Sequence, residues 1–329
     1  MMALSALYTG KTFMKRKIVR LLTIAFVAAV GVAAAQQPTS SSRQNVRTVS
    51  IPISIFTKEE LKKGQAEEFL QAERLIVREN KVEKPILSIR SYTEAPLSLA
   101  ILIQEDLSSQ FNLQLKDIAD FIRGLPNGTR VMIAYVRGGS LQIRQKFTTD
   151  REAAATSLRI VSSSAAMAPR SPYDGVLDVI PRFDALPAGR RAILLVSDGL
   201  DTSAGGSILS PLQSLDLDRA ILKAQRRSIA VYSFYSAATM TDDGDSRNVL
   251  VGQGSLQRLS DETGGRAFFQ GSISPLSFDP FFKELNILLG RQFLLSYLSD
   301  NMKKGYYKVE VESTNPKVKI EHPKGYYYR

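Results

Sequence analysis

Cysteine is absent from all 329 residues, and histidine occurs once, at His322. The first absence excludes disulfide staples, cysteine-based zinc sites and thiol catalysis, so the chain has to be held together by its core. The second leaves little for general acid–base chemistry: His322 has no serine nucleophile signature near it and reads as a surface strand residue. Phosphate loops are missing as well. The glycine pairs at Gly138-Gly139, Gly205-Gly206 and Gly264-Gly265 lack the Lys-Ser/Thr sequence or the strand-to-helix setting that phosphate binding requires. The acidic run Asp242, Asp243, Gly244, Asp245 has no bidentate glutamate at the distance a calcium loop needs and reads as a solvated turn. No catalytic constellation is left, and the chain is read as non-enzymatic.

A concentrated basic tract is also missing. The formal charge is +11, but 1–35 carries five basic residues (Lys11, Lys15, Arg16, Lys17 and Arg20) and no acidic one, so the charge without it is +6. The remaining charge is spread along the chain, which argues against nucleic acid as a partner. Lys15-Arg16-Lys17 precedes an apolar run that ends in Ala33-Ala34-Ala35, the charged, apolar and small-residue order of a secretory signal over 1–35. The chain is therefore expected to be exported, to the periplasm, the cell surface or the medium. It would meet membrane only through this segment, where it stays uncleaved. Met14, just before the basic residues, is an alternative start.

What is present is enough apolar sequence to bury a core, at 44% hydrophobic residues. Residues 36–46 are polar and small and read as a disordered spacer. Over 47–93, Val49, Ile51, Ile53 and Ile55 alternate with polar residues as in a half-buried strand, which Pro52 demotes to an edge. Leu75–Arg78 and Val82–Arg90 flank a hairpin turn at Glu79-Asn80-Lys81. From 94 to 290 strands and helices alternate. LSLAILIQ from Leu97 is followed by Leu115, Ile118, Ala119 and Ile122 at helical spacing. Val131–Val136 and Leu141–Phe147 form a hairpin across Gly138-Gly139, and Asp150 caps a helix over Arg151–Ile160. Another helix buries Val176, Val179, Ile180 and Phe183, and the strands Ala192–Val196, Ile229–Phe234 and Ala267–Phe269 follow. Such alternation predicts an α/β fold with a doubly wound, mostly parallel sheet. The tail, 291–329, alternates again at Tyr307, Val309 and Val311. It is expected to pair with 47–93 as a small accessory β domain built from both ends of the chain. The same alternation sends every second residue of the tyrosine set Tyr306, Tyr307 and Tyr326–Tyr328 inward.

The stretch RRAILLVSDGLDT from Arg190 to Thr202 is the most telling. Its apolar run stops at Ser197-Asp198-Gly199, placing a carboxylate at the C-terminal end of a buried parallel strand, where open sheets bind ligands. The plainer alternative is that Asp198 only starts a turn or caps the next helix.

ILLVSDGLDT, LAILIQEDLSS, RSPYDGV and LSDETGGRAFF together resemble a von Willebrand factor type A domain, most specifically in VSDGLD and DETGGRAFF. The chain is similar to the exported von Willebrand factor A-related family of acidobacteria over nearly the whole length after the signal. That resemblance implies a metal-ion-dependent adhesion site at the sheet edge. There an Asp-x-Ser-x-Ser loop, a threonine of a second loop and an aspartate after the fourth strand hold Mg²⁺ or Mn²⁺. In register with that motif, Asp106, Ser108, Ser171 and Asp198 are the candidate ligands, and Gln104 stands where the first aspartate is expected. Arg170 competes with Ser171 for the second-loop position by its spacing from Tyr173-Asp174, and a guanidinium there would repel a cation. Two arrangements follow. Either Asp106 moves into the vacant place and holds the ion with Asp198 through water, or Gln104 hydrogen-bonds Asp198 and closes the site without metal. The implied function is an interaction or adhesion module binding a protein or cell-envelope partner at the sheet edge. The alternative is a metal-free structural scaffold of an envelope assembly.

Overall fold

The computed structural model describes residues 45–63, 75–91, 96–162, 170–187, 189–238, 246–269, 271 and 276–328. The signal, most of the spacer and the acidic turn at 242–245 lie outside them. Arg47–Thr57 forms β1, and α1 (Lys58–Lys63) follows at once. This helix escaped the sequence reading although Thr57-x-x-Glu60 signals a capping box. The Glu60 amide donates to Thr57 Oγ1 at 3.1 Å, and the Thr57 amide donates to Glu60 Oε2 at 2.7 Å. β2 (Leu75–Glu79) and β3 (Val82–Lys84) form a hairpin through Asn80 and Lys81 at φ 49° and 70°, the two positive values a tight two-residue turn needs. Pro85 interrupts the run expected from Val82 to Arg90, and β4 (Ile86–Arg90) joins another sheet.

Next come β5 (Leu97–Gln104), a 3-10 turn at Ser109–Gln114, α2 (Leu115–Gly124) and the hairpin of β6 (Arg130–Arg137) and β7 (Ser140–Thr148). α3 (Arg151–Thr156) opens on Asp150, whose carboxylate accepts the Ala153 amide at 2.9 Å. It ends short of Ile160 because Tyr135 takes the chain: its hydroxyl accepts the Arg159 amide at 2.8 Å and donates to the Arg159 carbonyl at 2.7 Å. Then follow α4 (Pro172–Val179), β8 (Arg190–Ser197), α5 (Leu215–Arg226), β9 (Ile229–Tyr235), α6 (Ser246–Thr263), β10 (Ala267–Phe268) and α7 (Asp279–Gly290). β11 (Gln292–Ser299), β12 (Gly305–Ser313), β13 (Val318–Glu321) and β14 (Gly325–Tyr328) complete the chain.

Six strands form the central sheet in the order β10-β9-β8-β5-β6-β7, all parallel except β7, which runs antiparallel to β6. Its middle strands are apolar on both faces, as helices on both sides require. Leu99, Ile101 and Ile103 of β5 and Ala192, Leu194 and Val196 of β8 pack with residues of α2, α3 and α7. Ala100, Leu102, Ile193 and Leu195 pack on the opposite side with residues of α4, α5 and α6. From β5 the chain moves to β6 on one side, whereas β8, β9 and β10 extend the sheet on the other. The order therefore reverses between β5 and β8, and it is at the C-terminal ends of strands at such a reversal that open sheets form a crevice.

The strands near both ends of the chain pair with each other. One four-stranded sheet has the order β13-β1-β11-β4 and the other β14-β12-β2-β3. β1 is thus an interior strand and not the edge Pro52 suggested. β13 pairs only with Ser54–Thr57, so the side of Pro52 that lacks an amide proton has no strand opposite it. Inward residues Ile51, Ile53, Val77, Leu295, Val309 and Val311 share one core, and Tyr307 and Tyr326 stack there with centroids 5.7 Å apart. Both sheets lie in the same compact unit as the central one, 46–329. Among the described residues no helix is long and apolar enough to cross a membrane.

Glu79, at the end of β2, is wholly buried and joins the two terminal sheets. Ser299 and Tyr326 hydroxyls donate to it at 2.7 Å, the Tyr297 hydroxyl at 3.0 Å, and the Asn301 amide also donates. Burial disfavours the charge, but the donors from Asn301, Tyr326, Ser299 and Tyr297 outweigh it and hold the carboxyl below its ordinary pKa. A folded pKa below the unfolded one contributes stability above the unfolded value, and this is lost as pH falls through the folded value. Glu79→Ala should therefore lose about 3 kcal/mol at neutral pH by denaturant titration. The gap to wild type should narrow in acid; a gap that does not change with pH would rule out the charged network.

Candidate functional site

β5 and β8 end side by side at the crevice, and their last residues are tied together. Gln104 Oε1 accepts from the Ser197 hydroxyl and, at 3.2 Å, from the Asp198 amide. Ser197 Oγ in turn accepts the Gly199 amide at 2.9 Å. Gly199 has φ +73°, and a Cβ there would stand 2.3 Å from the Gly252 carbonyl oxygen. A Cβ on Gly252 would come within 2.0 Å of the Asp198 carbonyl oxygen. The two glycines let α6 lie against the Asp198 loop backbone to backbone, and the Tyr173 hydroxyl holds the Gly199 carbonyl at 2.7 Å.

Asp198 is thereby fixed with no solvent exposure. Its side chain meets Arg170 in a two-pronged pair, Nη2 to Oδ2 at 2.8 Å and Nη1 to Oδ1 at 3.3 Å, and Oδ1 also accepts the Leu200 amide at 3.1 Å. Arg170 Nε lies 2.8 Å from Asp106 Oδ2. One guanidinium, 4% exposed, thus bridges the carboxylates of the β5 and β8 loops. Thr202 clamps its backbone: the Arg170 carbonyl accepts the Thr202 amide at 2.8 Å, and the Arg170 amide donates to Thr202 Oγ1 at 3.1 Å. Burial works against the Arg170 charge, but Asp198 and Asp106 outweigh it and raise its pKa. Burial likewise raises the pKa of Asp106, opposed by Arg170.

The candidates from sequence are therefore brought to one edge, with Arg170 rather than Ser171 between the aspartates. Gln104 meets Asp198 through the backbone amide and not through its carboxylate. Ser108 and Ser171 hydroxyls are buried without a hydrogen-bond partner among the described residues. Those residues contain no group of three or more acidic or histidine side chains placed to hold a metal. Mg²⁺ or Mn²⁺ would need the place the guanidinium fills and carboxylate oxygens already committed to it, so the residues present do not fit a divalent ion. Thr202 and Gly252 belong to the site but are not among the candidates from sequence. Thr202 lies within VSDGLDT, and a glycine inside a helix signals a close approach.

The other carboxylates of this edge are engaged differently. Glu105 pairs with Arg159 at 2.7 Å, and Asp201 accepts the Ser203 amide at 2.9 Å and the Ser214 hydroxyl. Asp174, half-buried in the first turn of α4, has its pKa pushed up to about 6 by burial and then by Asp216, Asp201 and Asp178. These effects outweigh Arg219 and the helix dipole, which both favour the charge. His322 lies away from this edge, beyond β13, and is half-buried rather than on the surface. Its Nε2 accepts the Val311 amide at 3.3 Å, and Nδ1 lies 2.9 Å from the Pro323 carbonyl oxygen, which fixes the neutral tautomer.

No family model matches the chain, and no curated protein matches it. Solved structures to which it is similar include an aerotolerance-related membrane protein from Bacteroides fragilis, at 14% identity over 59% of this chain and 98% of that one, with a TM-score of 0.44. The conserved hypothetical protein BatB from Bacteroides thetaiotaomicron aligns at 12% identity over 58% of this chain and 95% of that one, with a TM-score of 0.41. The vWF domain of the type V pili tip protein Mfa5 from Porphyromonas gingivalis aligns at 11% identity over 59% of this chain and 93% of that one, with a TM-score of 0.37.

The raised pKa of Asp174 sets a pH dependence. Its folded value lies above the unfolded value of about 3.9, so the folded chain holds the proton more tightly. Stability therefore falls as pH rises from about 4 to about 6, and the full penalty is present above that. Asp174→Asn should melt at a higher temperature than wild type above that window and level with it below. Melting curves across the range decide the matter, and a difference independent of pH would refute the assignment.

Proposed function

We propose that the chain is an exported, non-enzymatic interaction module of the von Willebrand factor A type that docks a protein or cell-envelope partner on the C-terminal edge of its central sheet. The observation that carries this reading is the convergence of the loops after β5 and β8 and the Arg170 segment at the crevice where strand order reverses. Segments that follow the C-terminal ends of the strands also present apolar side chains to solvent. Leu113 follows β5, Leu212 and Leu215 follow β8, and Leu250 follows β9, each at least 66% exposed. Single exposed leucines are ordinary, but four in the segments leaving one sheet edge suit a protein partner with apolar groups. The signal-like order of 1–35 supports export. Both His322 nitrogens are occupied, which supports a module without acid–base chemistry. Docking here does not depend on a divalent ion, because the carboxylates that would bind one are paired with Arg170.

A second reading, a metal-free scaffold of an envelope assembly, is favoured by the burial of the ion triad, which offers a partner no free charged atom. Photo-crosslinking separates the two. A photoreactive residue at Leu212, exposed in the segment that follows β8, is expected to give a discrete adduct in the envelope fraction. One at Tyr306, half-exposed on β12, is expected to give none. Adducts from Tyr306 alone would overturn edge docking in favour of the scaffold.

A further inference from the structure

The loops at the crevice hold an arrangement that packing alone does not explain. Two buried carboxylates from different strands, Asp106 and Asp198, face one another across a single cation, and that cation belongs to the chain. Two carboxylates that share one guanidinium repel strongly where water is excluded, so some positive charge has to lie between them. Arg170 supplies it from a third segment, and Thr202 clamps its backbone on both sides. Ser108 and Ser171 stand two residues from Asp106 and next to Arg170, each with a buried hydroxyl that no described residue satisfies. Buried hydroxyls are normally hydrogen-bonded, so two in the same pair of loops that no described residue engages mark oxygen atoms available to a ligand.

We propose that Arg170 is a built-in cation that occupies a latent divalent-metal site, and that removing it converts the crevice into one that binds Mn²⁺ or Mg²⁺. The oxygen set left by a small residue at 170 is Asp106, Asp198 and the hydroxyls of Ser108 and Ser171. Carboxylates and hydroxyls with room for water are what a hard divalent ion takes. In the natural chain the guanidinium makes the edge permanently closed and indifferent to metal. Unlike a bound ion, Arg170 cannot be stripped by a chelator or lost by dilution. Arg170 plays this part whether or not a partner docks at the edge.

The test uses the purified chain, with Mn²⁺ alone as the probe and binding followed by the paramagnetic signal of the free ion. Wild type is expected to show neither uptake of Mn²⁺ nor a change of melting temperature between chelator and metal. Arg170→Ser is expected to melt several degrees lower in chelator. Mn²⁺ should restore much of that loss, and the variant should take up Mn²⁺ under conditions where wild type takes up none. Asp198→Asn added to Arg170→Ser should abolish that binding. Replacing all three charged groups, as Asp106→Asn, Arg170→Leu and Asp198→Asn together, should keep the fold without metal, because no uncompensated charge is left. This variant decides the case if Arg170→Ser does not fold. A triple variant that also fails to fold means that Arg170 holds the edge by packing, and overturns the proposal. Mn²⁺ uptake by wild type that depends on Asp198 overturns it too, as does a folded Arg170→Ser chain that gains no Mn²⁺ binding.

Discussion

The pairing of Arg170 with Asp198 and Asp106 is the constraint on which the sheet edge depends. A carboxylate with no solvent exposure at the end of β8 is tenable only if something carries its charge, and every neighbouring element is arranged to allow that. Gln104 reaches across from β5 to fix the backbone before Asp198, Thr202 holds the segment that brings in Arg170, and Gly199 and Gly252 let α6 close over the loop. Remove the guanidinium and these contacts hold two buried like charges together. Remove the carboxylates and they leave a buried cation unpaired. Either loss costs more than the intact set contributes, which is the usual asymmetry of buried ion pairs.

The crevice exists because of chain connectivity and not because of these side chains. β5 sends the chain to β6 on one side while β8, β9 and β10 extend the sheet on the other, so the loops depart in opposite directions above the paired ends of β5 and β8. Both strands are apolar on both faces, so neither can rotate a polar residue out of the core without breaking a face of the packing. The first positions free to carry polar chemistry are those just past the apolar runs, and Gln104, Asp106, Ser197 and Asp198 lie there.

Much of the fold was legible because period and turn chemistry agree along the chain. The apolar runs of β5, β8 and β9, the glycine turn between β6 and β7, and the burial of Val176, Val179, Ile180 and Phe183 all read correctly, although the last two lie on a 3-10 turn, Ile180–Ala185, that follows α4. What misled were features decided by a distant partner. Pro52 argues for an edge strand, but the side it leaves without an amide proton falls where β13 has not yet begun. Arg151–Ile160 reads as one helix, but the Tyr135 hydroxyl, from another element, takes both backbone groups of Arg159. α1 was missed for the opposite reason: its capping box was plain, but six residues carry too few apolar positions to show a period. At the site, spacing placed Asp198 and named both Arg170 and Ser171. It could not choose between adjacent residues, because one step along an extended segment reverses which side chain points inward.

Glu79 and Asp198 show two ways of burying a carboxylate in a chain with no cysteine. Asp198 is met by a full opposite charge, which ties together loops that the sheet has already brought close. Glu79 is met chiefly by dipoles: two tyrosine hydroxyls, a serine hydroxyl and an amide. The difference follows from what each must join. Around Glu79 the strands are far apart in sequence, with β2 near one end and β11, β12 and β14 near the other, so no short loop fixes their register. A two-pronged arginine pair fixes two side chains to each other, whereas four directional donors from separate strands are satisfied together on one carboxylate in only one alignment of those strands. Arg47 extends the same alignment to β1. Its guanidinium donates to the Tyr326 hydroxyl at 2.5 Å and lies 3.9 Å from the Tyr328 ring centroid. In a chain without disulfides, this network does the register-setting that a cross-link between distant strands would otherwise do, and it explains why so polar a cluster sits in an otherwise apolar β core.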